Sequence, residues 1–292
     1  MFNSVYPQNI TQSGYAPHFP MNDGEDWIDS LPRDSLDVYV DYAFAHYNDV
    51  IIHSPEVWRW FGDRKMHLSH ELIERFKLGF ADRTLCKDHR REKGRSAEIT
   101  RGALQMLGLL KDTGHQYFHG CAVFPIFDID GRIVGAYGRR ITPECRPGHI
   151  YHLHWYHGSP TFFNIQALRD YNSVTLYKSP VEAMVAIAAG FQNSIATTGL
   201  YSFGQHHLET LDKFKPKEVV LALDATDSGN LVSGMIAQAL DAQGINTRRM
   251  ALPRNMDVVD FVQSRDNHEV ELKQLVNSSE PYQQTYENIL RG

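Results

Sequence analysis

The stretch Lys217-Glu-Val-Val-Leu-Ala-Leu-Asp-Ala-Thr-Asp-Ser-Gly229 is the most informative about the fold class. Its apolar run predicts a short strand over 217–223, and Asp224 stands directly at the carboxyl end of that strand. A helical pattern follows from about Asp227 to Gln243, and Gly229 lets the start of that helix pack closely. The stretch therefore predicts a strand with an acidic carboxyl end that leads into a helix.

Strands and helices alternate on both sides of this stretch. The further predicted strands are Val174–Tyr177, Ser194–Ala196 and Thr247–Leu252. The further predicted helices are Pro180–Gly190, Gln205–Lys213 and the short Asp257–Val262. This alternation predicts an α/β fold with a doubly wound parallel sheet flanked by helices. Ligands of such sheets bind at the carboxyl ends of the strands, which here carry Lys178, Thr197, Thr198, Asp224 and Pro253–Asp257.

The amino-terminal part follows a different pattern and predicts an α+β arrangement. Helical spacing runs through 36–60 and again through Ser96–Lys111, and Ser69 is suited to cap a short helix between them. Two apolar runs, Cys121–Phe127 and Arg132–Arg140, then flank Asp128-Ile-Asp-Gly131. An Asp-Gly pair supplies the positive φ of a tight turn, so these runs predict a β-hairpin. An extended segment follows near Ile150–Trp155.

The composition of the chain limits the classes of protein to which it can belong. The chain has 292 residues, of which 42% are hydrophobic, and no apolar run is long enough to span a membrane. Cys86, Cys121 and Cys145 lie far apart without a CxxC pair, which disfavours a disulfide framework or a zinc motif and suits a cytoplasmic protein. Because the net charge is −6, any nucleic-acid binding must use a local basic patch.

One such patch lies between Arg75 and Lys111, where basic residues greatly outnumber acids. The pattern fits a solvated face or a ridge that contacts phosphates, and composition alone does not choose between them. The predicted nucleic-acid-binding residues are Lys87, Arg90, Arg91, Lys93 and Arg95 of this patch, with Arg139 and Arg140 of the hairpin. Histidines cluster over 149–157, and His152 with His154 would share one face of a strand, the spacing of a zinc pair without a third ligand.

Two passages resemble DnaG-type primases. The first is Phe124-Pro-Ile-Phe-Asp-Ile-Asp-Gly-Arg-Ile-Val-Gly-Ala-Tyr-Gly-Arg139, which is similar to the family's hairpin, together with Leu68-Ser-His-Glu-Leu-Ile-Glu-Arg-Phe-Lys-Leu-Gly-Phe80. The second combines Tyr177–Gly190, Ala196-Thr-Thr-Gly-Leu200, Leu221–Gly229 and Leu252-Pro-Arg-Asn-Met-Asp257, which are similar to the blocks of a TOPRIM domain. The resemblance implies a primase RNA-polymerase core over about 36–264. His119, Cys121 and Phe127 stand where the family carries basic residues along its template path.

The resemblance also implies a metal-dependent nucleotidyltransferase, because TOPRIM acids hold Mg²⁺ at adjacent strand ends. Three of those acids are kept, Glu182, Asp224 and Asp257, and these are the expected metal ligands. Lys178 stands at the position of the TOPRIM glutamate, and Thr226 and Val259 stand where further acids are usual.

Two interpretations of Lys178 follow. Its ammonium can take the place of the metal and pair with Asp224, or it can point into solvent while one metal still binds. We therefore expect Mg²⁺ or Mn²⁺ to bind weakly at most. The candidate catalytic residues are Asp224, Glu182 and Lys178.

The expected organisation is a flexible leader over 1–35, a primase-like subdomain over 36–172, a TOPRIM domain over 173–264 and a helical tail over 265–292. The expected function is nucleic-acid binding in the DNA replication of a phage, plasmid or mobile element, with a degenerate metal centre and with single-stranded DNA or another nucleic acid as ligand. A separate zinc-module protein or helicase is the expected partner, and no membrane is. Two alternatives are an active primase and a TOPRIM nuclease.

Overall fold

The computed structural model describes residues 33–87, 95–141 and 150–282. Nearly all of the expected leader, 1–35, lies outside these ranges. Among the described residues, the chain divides into two compact units. The first takes in the residues up to Trp58, with His70–Pro125 and Gly135–Gly158. The second takes in Arg59–Ser69, Ile126–Val134 and the residues from Ser159 onward. These units differ from the boundaries expected from the sequence, which stay a prediction.

Helices and a small antiparallel sheet make up the amino-terminal part. Its helices are α1 Arg33–Ile52, α2 Pro55–Asp63, α3 His70–Phe76 and α4 Arg95–Met106. Its strands are β1 Gly79–Phe80, β2 Cys121–Phe127, β3 Ile133–Arg140 and β4 His152–Tyr156, in the order β1-β2-β3-β4. The predicted hairpin is confirmed: Gly131 has a φ of +85°, and the backbone amide of Asp128 donates to the carbonyl of Arg132 at 2.9 Å.

Two helices differ from the predicted ones at their ends. The helical spacing of 36–60 is realised as α1 and α2, which are separated at Ser54. Proline disfavours helical backbone in the residue before it, so Pro55 begins a new helix. The helix predicted to reach Lys111 ends at Met106, because Gly108 adopts a φ of +70° that ends the helix.

The carboxy-terminal part contains the predicted parallel sheet. Its strands are β5 Ser173–Tyr177, β6 Ser194–Ala196, β7 Glu218–Ala222, β8 Asn246–Arg249 and β9 Glu280–Pro281. Its helices are α5 Ala167–Asp170, α6 Pro180–Ala188, α7 Gln205–Phe214, α8 Asp227–Asp241, α9 Val258–Gln263 and α10 His268–Asn277. The order is β6-β5-β7-β8-β9, with β9 antiparallel and the other pairs parallel. The α/β class predicted from the sequence is confirmed.

The central strands of this sheet are buried on both faces. Val174, Leu176, Ile195 and Leu221 are each 0% exposed and pack in one apolar cluster with α7 and α8. Burial of both faces fixes the register, so the carboxyl ends of β5 and β7 meet at one edge. The expected helical tail contains α10 but continues into β9, which pairs with β8. Within the described residues, no helix combines the length and apolar composition that crossing a membrane requires.

Candidate functional site

The carboxyl edge of the parallel sheet gathers the polar residues that the sequence singled out. Lys178 follows β5, Asp224 follows β7 shortly before α8, and Glu182 lies in the first turn of α6. Asp257 is the residue before α9 and caps it, because its side chain accepts a hydrogen bond from the amide of Asp260 at 2.8 Å. All four side chains belong to the second compact unit.

Two backbone hydrogen bonds bring Asp224 and Asp257 together. The amide of Ala225 donates to the carbonyl of Met256 at 3.0 Å, and the amide of Asn255 donates to the carbonyl of Ala225 at 2.9 Å. Asn255 adopts a φ of +59°, a left-handed conformation that asparagine tolerates better than most residues. The loop before α9 is thereby fixed against the end of β7.

The ammonium of Lys178 lies among the three carboxyl groups. Its Nζ atom is 2.5 Å from Oδ1 of Asp224, 3.1 Å from Oδ2 of Asp257 and 3.2 Å from Oε1 of Glu182. The side chain of Lys178 is 22% exposed, while that of Glu182 is 2% exposed. Of the two interpretations of Lys178 left open by the sequence, the structure shows the one in which its ammonium pairs with Asp224.

The surroundings change the pKa of Glu182 and the pKa of Lys178. Burial raises the pKa of Glu182 to about 8, and the carboxylates of Asp257 and Asp224 add to this rise while Lys178 opposes it. Burial by itself lowers the pKa of Lys178, but the carboxyl groups of Glu182, Asp257 and Asp224 outweigh burial and raise it. Lys178 is therefore an ammonium ion at neutral pH.

Glu182, Asp224 and Asp257 also form the donor set that suits a hard cation. One ligand atom from each lies within 4.8 Å of the others, and carboxylate oxygens are the ligands that Mg²⁺ prefers. A Mg²⁺ ion would sit about 2.1 Å from such oxygens, which is the space that the Lys178 ammonium takes. With Lys178 in this position, the residues present do not fit a bound divalent ion.

Other polar residues beside the acid cluster have structural roles or face elsewhere. Thr226 caps α8, because its hydroxyl accepts a hydrogen bond from the amide of Gly229 at 3.1 Å. Asp227 and Asp260 are exposed and are not among the three acids whose ligand atoms lie close together.

Sequence reasoning missed a second buried cation beside the cluster, Arg249. This last residue of β8 is 3% exposed, and its NH2 atom donates to the carbonyl of Asp224 at 2.9 Å and to Oδ1 of Asn230 at 3.2 Å. Burial lowers the pKa of Arg249 to about 10, and its NH1 atom is buried without a hydrogen-bond partner in the part of the chain that the structure describes. A charged residue on a short strand is usually exposed, so no local pattern marked this position.

Two family models match the chain. The model described as the DNA primase catalytic core, N-terminal domain, matches residues 51–165, and the model described as Toprim-like matches residues 176–262. The two matched regions have the same order along the chain as the two passages that resemble DnaG-type primases. Together the two matches support a DnaG-type primase core with a TOPRIM domain.

Curated DNA primases are similar to this primase-type chain over part of their length. The DNA primase of Staphylococcus epidermidis is 25% identical over an alignment of 231 positions that covers 71% of this chain and 37% of the relative. The DNA primase of Aquifex aeolicus is 25% identical over an alignment of 191 positions that covers 62% of this chain and 38% of the relative. The chain thus spans less than two fifths of the length of these relatives.

Solved primase structures share the fold. A structure of the Aquifex aeolicus primase with its zinc-binding and RNA polymerase domains gives a TM-score of 0.71 at 19% identity, covering 87% of this chain and 63% of that one. The RNA polymerase domain of Mycobacterium tuberculosis DnaG gives a TM-score of 0.69 at 19% identity, covering 86% and 85%. At these identities the likeness shows a primase-type fold.

The basic residues predicted to contact nucleic acid are only partly described. Arg90, Arg91 and Lys93 lie outside the described residues, as does the side chain of Arg95, while Lys87 is exposed. On the hairpin of this primase-type core, Arg140 donates to the carbonyls of His119 at 2.9 Å and Ile150 at 3.3 Å. Arg139 lies over the ring of Tyr151, 5.7 Å from its centroid.

The histidine pair of β4 shares one face, as the strand pattern predicted, because both rings contact Tyr137. Arg139 can only donate, so Nε2 of His152 accepts from it at 2.5 Å, and Nδ1 then carries the proton that faces the Tyr137 hydroxyl at 2.6 Å. Both ring nitrogens of His152 are therefore engaged, which argues against a zinc pair with His154.

Proposed function

We propose that this primase-type protein binds single-stranded nucleic acid in DNA replication and that its TOPRIM centre is degenerate. The observation that carries the proposal is the ammonium of Lys178, which lies within 3.2 Å of an oxygen from each of the three retained acids. Nucleotidyl transfer in this family depends on metal ions that hold phosphates and the attacking oxygen. A tethered ammonium offsets part of the negative charge of the acids but leaves no open coordination position for a phosphate.

Unpaired positive charge on the hairpin supports nucleic-acid binding. Within the described residues, neither Arg139 nor Arg140 has a carboxylate at ion-pair distance, and both are half-buried at the end of β3. Guanidinium groups held in this way release counterions when they contact a phosphate backbone. A DnaG catalytic domain of similar fold, with a TM-score of 0.65 and 20% identity, was solved bound to single-stranded DNA.

The wider setting that we propose is the replication of a phage, plasmid or mobile element. The partner that we propose in this setting is a separate zinc-module protein or a helicase. Co-purification of a tagged chain from its own host with such a protein tests this setting.

An active primase with a rearranged centre is the second candidate. It is favoured by the acid triad itself, whose ligand atoms lie within 4.8 Å of one another. This activity requires the Lys178 side chain to leave the triad when nucleotides and metal arrive. Because the lysine is 22% exposed, a path into solvent exists for it.

Primer synthesis by the purified chain separates the two candidates. Single-stranded DNA, labelled ribonucleotides and deoxyribonucleotides are supplied with Mg²⁺ or Mn²⁺, and Asp224→Ala is run beside the matched exposed control Asp227→Ala. We expect salt-dependent DNA binding by all three proteins and no primer from any. Primers that vanish in Asp224→Ala alone would establish the active enzyme, and a chain that neither binds nor synthesises would contradict both candidates.

A further inference from the structure

One lysine joins four segments of the TOPRIM-like domain. Lys178 leaves the end of β5 and contacts Glu182 on α6, Asp224 behind β7 and Asp257 at the cap of α9. These three interactions bridge separations of 4, 46 and 79 residues along the chain. A set of interactions of this kind holds separate elements together, which is what a bound metal ion does in other sites.

Arg249 supplies a second positive charge from the interior side. Its guanidinium holds the backbone carbonyl of Asp224 at 2.9 Å, so Asp224 lies between two cations. Within the described residues, Arg249 has no carboxylate at ion-pair distance, although it is 3% exposed. A buried guanidinium is costly unless nearby negative charge offsets it, and Asp224 is an acid whose charge acts on Arg249.

The cluster also keeps an unused ligand atom. Among the described residues, Oε2 of Glu182 is buried and has no hydrogen-bond partner, although Oε1 of the same side chain contacts Lys178. An oxygen in this position is left without a partner when an ammonium, which has a single centre and three protons, fills the site. A divalent ion can instead be bound by both oxygens of one carboxylate.

From this geometry we infer that Lys178 and Arg249 are built-in cations that close the acid cluster without metal, and that removal of the Lys178 side chain opens a latent site for a hard divalent cation. This inference rests on the proposed degenerate centre. The latent ligands are Glu182, Asp224 and Asp257, whose oxygens already lie within 4.8 Å of one another. In the wild-type protein, the cluster then holds the elements at the carboxyl edge of the sheet together.

The test measures Mn²⁺ binding by calorimetry and by loss of the electron paramagnetic resonance signal of the free ion. The full chain is compared with Lys178→Ala, with Lys178→Gln as a variant of similar length, and with Lys273→Ala, an exposed lysine of α10, as the control. We expect one Mn²⁺ to bind Lys178→Ala at least tenfold more tightly than wild type or Lys273→Ala. Asp224→Asn added to Lys178→Ala should abolish that gain.

Thermal melting gives a readout that is independent of the metal titration. Removal of one partner from a largely buried ion cluster should lower the Tm of Lys178→Ala in EDTA by about 5 °C or more, and Mn²⁺ should recover at least half of that loss. Wild type should melt at one temperature in EDTA and in Mn²⁺. If Lys178→Ala does not fold, Lys178→Gln is measured in the same way.

Two results would overturn the inference. One is saturable Mn²⁺ binding by wild type that Asp224→Asn removes, and the other is a Lys178 variant that folds normally but gains no Mn²⁺ affinity. Primer synthesis reports separately on the proposed function. A wild-type chain that binds Mn²⁺ here yet makes no primer contradicts only the inference, whereas primer synthesis contradicts the degenerate centre itself.

Discussion

At the scale of single residues, the sign of the charge at position 178 decides what the acid cluster can hold. Two unit charges about 4 Å apart interact by about 4 kcal/mol at an effective dielectric near 20. A lysine in place of an acid therefore changes the cluster from one that needs an external cation to one that contains its own. Burial also raises the pKa of Glu182 to about 8, which favours the uncharged form of this carboxyl group and so lessens the negative charge that the cluster must balance.

His207 is a second residue whose charge state is set by burial. It is 3% exposed, its ring stacks on Phe203 at 5.5 Å, and its Nδ1 atom accepts a hydrogen bond from the amide of Gly204 at 3.1 Å. Burial, with a smaller effect of His206, lowers the pKa of His207 to about 3. The histidine is thus a neutral core residue.

The pKa of His207 predicts how stability depends on pH. The folded pKa lies below the unfolded value of about 6.5, so below pH 6.5 the unfolded chain binds a proton that the folded chain does not. Between about pH 7.5 and 5.5, the free energy of unfolding should fall by about 1 kcal/mol through this residue alone. Urea unfolding of His207→Gln should show a correspondingly smaller fall. The exposed control His53→Gln should follow wild type, and equal falls in all three proteins would contradict the assignment.

At the scale of elements, three helices begin at the candidate site, and each has a short polar cap. Ser179 caps α6, Thr226 caps α8 and Asp257 caps α9. A side-chain cap satisfies amides that have no partner within the helix, so each cap fixes where its helix starts. Asp257 has two roles, since one carboxylate oxygen caps α9 and the other contacts Lys178.

The start of α8 depends on a glycine that touches Asp224. A Cβ atom added to Gly229 would lie 2.1 Å from the backbone oxygen of Asp224, and the backbone there cannot move without displacing the acid. Gly229→Ala should therefore lower the free energy of unfolding by about 2–3 kcal/mol. In the matched control Gly62→Ala the new Cβ has no atom of the described residues within 4 Å, so stability should be unchanged or slightly higher. Denaturant unfolding measures the free energy of unfolding of both variants. A Gly229→Ala protein as stable as wild type would show that Gly229 and the backbone of Asp224 are not in close contact.

At the scale of the whole molecule, the chain combines a net charge of −6 with arginines that have no acidic partner among the described residues. An acidic protein repels a polyanion over most of its surface, so binding must depend on a few fixed cations and must weaken with salt. Arg139 and Arg140 at the end of the hairpin are such cations. Arg132 near the hairpin turn is not, because Asp128 and Asp130 neutralise it at 3.1 and 3.5 Å.

This difference predicts the result of an arginine comparison. The double change Arg139→Ala and Arg140→Ala should weaken single-stranded DNA binding and reduce the slope of log affinity against log salt by roughly one for each phosphate that is no longer neutralised. Arg132→Ala should leave both unchanged, since its charge is already paired. Fluorescence anisotropy over a range of salt concentrations measures both quantities. An equal weakening in the two proteins would indicate a general effect of charge.

The order of elements, the hairpin turn at Gly131, the parallel sheet and the edge at which the acids meet all followed from the amino-acid sequence. These features depend on periodicity, on local backbone preference and on residues close together in the chain. Three features required the folded molecule: the Lys178 ammonium lies among three acids, Arg249 is buried behind Asp224, and β9 joins the sheet. Each of these includes a contact between residues 25 or more positions apart, whose distance and burial follow from strand register and packing rather than from any local pattern.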